Sequence, residues 1–180
     1  MADSTPAAAV AEFLGSLRQT IACVTRARVE VSADGYRPNL QGRAHLLDVN
    51  RAEPVAVGGR HRLSLRVAMR YRIIRADGAS GPWKIKTAGY VYAIDDRDGH
   101  EVLAYHWQEG TPPPYPHLHL GAGAGVNALV KKRHLPTGRV ALEAVVRLLV
   151  EEFAVPPLRR DWRTVLRRGE GRFKAWRTWA

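Results

Sequence analysis

Between residues 61 and 74 the chain reads HRLSLRVAMRYRII, and no other stretch limits the fold as sharply. Its odd positions, His61, Leu63, Leu65, Val67, Met69, Tyr71 and Ile73, are mostly apolar. Its even positions, Arg62, Ser64, Arg66, Ala68, Arg70 and Arg72, are mostly basic. Successive side chains on a strand point to opposite faces, so this period of two predicts a long strand with one face buried and one in water.

Two further strands follow. WKIKTAGYVYAI (83–94) sets Trp83, Ile85, Val91 and Ala93 against Lys84, Lys86, Tyr90 and Tyr92, and HEVLAYHWQ spans 100–108. The turn signals in RADGASGP (75–82) and DDRDG (95–99) join the three into an antiparallel meander. Upstream, VTRARVEVS (24–32) alternates, ADGYRPN turns the chain, LQGRAHLLDVN (40–50) is a second strand, and EPVAVGGR (53–60) is a loop.

Apolar residues at helical spacing predict three helices. Val10, Phe13, Leu14, Leu17 and Ile21 mark residues 7–22. TGRVALEAVVRLLVEEF (137–153) has Thr137 as its N-cap and ends before Pro156, and Leu158, Trp162, Val165 and Leu166 mark residues 158–168. The expected architecture is one α+β domain over residues 1–180. An antiparallel sheet of about five strands carries an N-terminal helix and two C-terminal helices, with helix 137–153 across its apolar face. Residues 158–180 form a basic, Trp-rich segment in which Phe173, Trp176 and Trp179, three apart, are expected to dock on the domain.

At 180 residues the chain can bury its own core. Cys23 is its only cysteine, which excludes disulfides and thiolate zinc sites and suits a reducing cytosol. The apolar run VALEAVVRLLV is broken by Glu143 and Arg147, so no membrane span is expected. The N-terminus lacks the basic region of a signal peptide, and the expected location is cytoplasmic.

The net charge of +11 is concentrated. Residues 60–92 hold eight Lys or Arg against Asp77, and residues 158–180 hold eight against Asp161 and Glu170. Strand alternation places Arg62, Arg66, Arg70 and Arg72 on one face with Lys84, Lys86, Tyr90 and Tyr92. Cations there can meet phosphates and rings can stack on bases, so RNA or single-stranded DNA is the expected partner. The alternative is a non-catalytic module whose basic surfaces meet an acidic protein.

Chemistry is most concentrated in TPPPYPHLHLGAGAG (111–125). On a strand His117 and His119 share a face about 7 Å apart. His106, just before the proline run, is the best third partner; Glu109 and His134 are weaker ones. The expected reaction is phosphodiester cleavage by imidazole proton transfer at His106, His117 and His119, with Tyr105 or Arg70 holding the phosphate and no cofactor or metal required. A metal held by the same three histidines is the variant. The His-x-His pattern falls short of the histidine-triad hydrolases, because Gly121 stands where their third histidine would be. The plain alternative is a half-buried strand, in which Leu118 and Leu120 alternate with two solvated histidines.

AYHWQ (104–108), PYPHLHL (114–120) and the apolar helix after them resemble the TumE-type toxins of prokaryotic toxin–antitoxin modules over residues 83–153. Tyr105, His106, His117 and His119 are the matching positions. The resemblance implies a small, sheet-rich protein whose target is RNA or the translation machinery.

Overall fold

The computed structural model describes residues 5–36, 42–75, 82–131 and 133–176. The turns expected around residues 37–39 and 76–81, and Trp179 of the tail, lie outside the described residues. Helix α1 (Pro6–Ile21) starts where Thr5 accepts a hydrogen bond from the Ala8 N–H and Pro6 presets the first helical residue. Strands β1 (Val29–Val31), β2 (His45–Val49) and β3 (Val55–Gly58) precede the long hairpin of β4 (Leu63–Arg75) and β5 (Trp83–Asp95). β6 (Glu101–Gln108), β7 (His117–Leu120), β8 (Leu135–Pro136), α2 (Leu142–Glu151) and α3 (Trp162–Trp176) complete the order.

The sheet is antiparallel in the order β1-β2-β4-β5-β6-β7-β8, with β3 also pairing with β4. It therefore has eight strands where about five were expected. The additional strands are short and lie among glycines and prolines. Val55–Gly58 pairs with β4 inside the stretch expected to be loop, and β7 and β8 flank the glycine run.

The odd residues of β4 face the helices. Leu65, Val67, Tyr71 and Ile73 are almost fully buried in one cluster with Leu14, Leu17 and Ile21 of α1, Val145, Val146 and Leu149 of α2, and Trp162 and Leu166 of α3. Burying these side chains supplies the main driving force for folding, roughly 1.5–3 kcal/mol each. Polar groups reaching this core are paired to the chain: the Tyr71 hydroxyl donates to the Gly35 carbonyl (2.8 Å) and the Val140 N–H donates to the Tyr90 hydroxyl (3.1 Å). Among the described residues no helix is long and apolar enough to cross a membrane.

Two helix boundaries differ from expectation. Thr137 is not an N-cap: its N–H donates to the Pro116 carbonyl (2.8 Å), continuing the pairing of β7 with β8, and the cap position falls at Ala141. Ala141 is still extended, and α2 begins only at Leu142. α3, by contrast, starts at Trp162 and continues through Phe173, which is half-buried.

Candidate functional site

The even residues of β4 lie on the opposite, outer face, and the registers of the ladder align them into rows. Arg66, Ala93, Ala104 and His119 form one row across β4–β7. Asp48, Ala68, Val91, His106 and His117 form the next, and Leu46, Arg70, Gly89 and Gln108 the third. The side chains in the middle of the second and third rows, Ala68, Val91 and Gly89, are small or medium-sized. Small side chains between larger ones leave a hollow, and a cavity of about 470 Å³ lies there. Leu46 and Arg70 wall it on one side, the histidines on the other, and Thr111, Pro112 and Pro113 close its end.

His106, His117 and His119 converge on this cavity, as the spacing predicted. Their ring centroids are 5.8 Å (His106–His117), 4.7 Å (His106–His119) and 4.9 Å (His117–His119) apart. His134, which ends the glycine-rich excursion, adds a fourth ring 4.6 Å from His117 and 4.7 Å from His119. The close approach of β7 to β6 depends on Gly121, since a Cβ there would run into the Glu101 carbonyl.

The imidazoles differ in surroundings. The Nδ1 of His117 lies 3.0 Å from the Tyr115 carbonyl. A carbonyl only accepts, so Nδ1 carries a proton, and in the neutral ring Nε2 presents the lone pair. The Nε2 of His119 is buried and, among the described residues, has no hydrogen-bond partner. Burial, then the neighbouring His119 and His117, pulls the His106 pKa down to about 4, so this ring is neutral at pH 7. Burial, followed by His117 and His134, also lowers that of His119.

Four of the positions expected at the site are elsewhere. Tyr105 pairs with Tyr92 and Leu118 and packs against the core cluster on the helix side, so it faces away from His106. Tyr90 and Tyr92 are also core residues, 5% and 1% exposed, stacked on one another with centroids 4.7 Å apart. The cause is a bulge: Arg70 pairs with Gly89 but Tyr71 with Thr87, so Ala88 is an extra residue and reverses the facing of β5 beyond it. Lys84 and Lys86 remain on the outer face, opposite Ile74 and Arg72. Arg62 lies in the turn before β4, with φ +49°, and is not part of the strand face.

Most of the outer cations are spoken for. Arg66 grips Asp95 through two hydrogen bonds (2.6 and 2.7 Å) and reaches Glu101 at 3.4 Å. Arg72 and Lys86 share the two oxygens of Glu109, each at 2.8 Å. The bond from Lys86, more than the nearby charge of Arg72, holds the Glu109 carboxyl below its ordinary pKa. Arg70 is exposed and makes no ion pair or hydrogen bond among the described residues, and it lines the histidine cavity. Comparison with known protein families, curated proteins and solved structures gives no match.

Proposed function

We propose that the protein acts on phosphate esters of RNA or single-stranded DNA, and that the outer-face cavity is its active site. The observation that carries this reading is the convergence of three imidazoles and one unpaired arginine on a single cavity. Arg70 holds the anionic phosphate. His117 is oriented by its bond to Tyr115 so that Nε2 can accept the proton of an attacking hydroxyl or water. The proton that His117 takes up is then delivered to the leaving oxygen, so the ring ends as it began. Positioned proton transfer of this kind contributes about 10²–10⁴-fold in rate. The cavity volume falls in the range that takes a small ligand, which suits one unpaired nucleotide and disfavours a duplex. The resemblance to TumE-type toxins points the substrate towards RNA.

The deciding experiment follows a labelled single-stranded RNA at neutral pH with wild-type protein and with His117→Ala/His119→Ala. Cleavage should fall by about 100-fold or more in the double variant, while low-salt binding persists. Equal activity in the two proteins, or no binding and no cleavage by the wild type, refutes the reading.

A second reading rests on a separate observation. Arg160, Arg163, Arg167 and Lys174 are exposed and spaced along one side of α3 and the turn before it. Such a stripe fits an acidic protein partner. Recovery of a stoichiometric acidic protein in native purification, lost when Arg163 and Arg167 become Glu, would favour this non-catalytic role.

A further inference from the structure

We propose that His106, His117 and His119 form a binding site for a divalent first-row transition-metal ion, with His134 as a weaker fourth ligand at its rim. The proposal goes beyond the nucleic-acid reading and does not depend on it, because metal binding requires no substrate.

The geometry carries it. One nitrogen from each of the three rings lies within 4.8 Å of the others. A tetrahedral zinc ion with Zn–N bonds of about 2.0–2.1 Å holds its ligand nitrogens roughly 3.3 Å apart. Small ring rotations therefore close the triad onto one ion. The backbone fixes the frame within which they rotate. His106 and His117 are direct cross-strand partners, and His119 lies two residues further along the same face of β7.

Two polar details favour a ligand-binding role over mere packing of aromatic rings. The Nδ1–H of His117 is tied to the Tyr115 carbonyl, the outer contact that typically orients a metal-ligating imidazole and exposes Nε2. Among the described residues the buried Nε2 of His119 has no hydrogen-bond partner, a costly state that coordination would relieve. No carboxylate pairs with these three rings among the described residues, so nothing else compensates them.

The donor set defines the ion. Imidazole nitrogens suit Zn²⁺, Cu²⁺, Ni²⁺ or Fe²⁺, whereas Mg²⁺ and Ca²⁺ prefer oxygen ligands. Three sheet-borne ligands leave a fourth position towards the cavity, and His134, exposed and close to His117 and His119, can occupy it. A hydroxyl or water displacing His134 would be the group activated at the metal, and Arg70 lies across the same cavity to hold an anion.

The test uses the full chain freed of any polyhistidine tag and stripped with chelator. Titration calorimetry with Zn²⁺ should show one equivalent binding in the micromolar range or tighter, while Mg²⁺ shows none. Co²⁺ should give the visible absorption of a tetrahedral ion. His119→Ala and His106→Ala should weaken Zn²⁺ binding about 100-fold, and His134→Ala about 10-fold. His61→Ala, at an exposed turn, should leave it unchanged. His119→Asn serves if the alanine variant folds poorly, and the Co²⁺ spectrum of the wild type needs no variant at all. No saturable Zn²⁺ binding, or binding that survives loss of His119, overturns the proposal. Zinc binding without RNA cleavage would leave the metal site standing and remove the nucleolytic reading. Cleavage in chelator by a protein that binds no Zn²⁺ would do the reverse.

Discussion

Two patches of the outer sheet face, only a few strand positions apart, differ in how their polar groups are balanced. Around Arg66, Arg72 and Lys86 each cation has a carboxylate: Asp95 and Glu101 for the first, Glu109 for the other two. Around Arg70 and the histidines, among the described residues, no carboxylate pairs with the cation and a buried imidazole nitrogen has no hydrogen-bond partner. The sequence pattern is the same in both, arginine on alternate positions of one strand. What separates them is which acids the neighbouring strands supply. A high net charge therefore does not say which charge is available to a ligand, whereas an unmatched group inside a cavity does.

The comparison breaks most clearly at the histidines. His119→Ala should lower phosphoester cleavage by about 10²–10³-fold. Tyr105→Phe, across the sheet, should change it by less than about twofold, because its side chain packs with the core. Rate measurements at saturating and limiting RNA check both. A large effect at Tyr105 with none at His119 would move the site to the wrong face.

Arg66 and Arg70 should fail in different assays. Arg66→Gln leaves Asp95, 2% exposed, without its charged partner, and should cost roughly 2–3 kcal/mol in denaturant unfolding. Its effect on RNA affinity should be small. Arg70→Gln should leave stability within about 0.5 kcal/mol, weaken binding about 3–10-fold, and reduce the slope of log K against log salt by about one. Fluorescence anisotropy at several salt concentrations separates the two. Equal salt slopes for both variants would mean that the carboxylates do not shield Arg66.

Much of this arrangement was legible in the chain, and the failures have physical causes. Alternation in 61–74 fixed which face of β4 is buried, and the His-x-His spacing placed both rings beside His106. The same alternation, carried across KTAGYVY, misplaced Tyr90 and Tyr92, because Ala88 forms a bulge and turns both rings inward. Gly89 was the available hint, since glycine inside a strand often marks a bulge. Tyr105 was a different error: adjacent strand residues face opposite ways, so it and His106 could not share a site. The short strands β3 and β8 carry too few residues for periodicity to reveal them, while the brief alternation of His117–Leu120 did mark β7. Thr137 has the chemistry of a helix cap, but the helix starts only after Ala141, with Thr137 still held to Pro116 beside the sheet. The ion pairs that neutralise the basic stripe depend on cross-strand register, which no local pattern encodes.

The smallest expected effect tests the balance itself. Glu109→Gln removes the acid shared by Arg72 and Lys86 and converts the balanced patch into one resembling the surroundings of Arg70. RNA binding at low salt should strengthen about 2–5-fold, with a steeper salt dependence. Stability should fall by less than about 1 kcal/mol, because all three groups are substantially solvated. The pH dependence has a definite sign. The folded pKa of Glu109 is depressed, so its contribution is present above the ordinary carboxylate range and is lost as pH falls through the folded value. Wild type and variant should therefore differ in melting temperature at pH 7 and converge in acid, below the usual pKa of a glutamate. A difference that grew on acidification would mean that Glu109 is not held as a carboxylate by Lys86 and Arg72. Unchanged RNA affinity at low salt would mean that freeing cations on this patch does not make them available, and the contrast with Arg70 would then rest on the cavity alone.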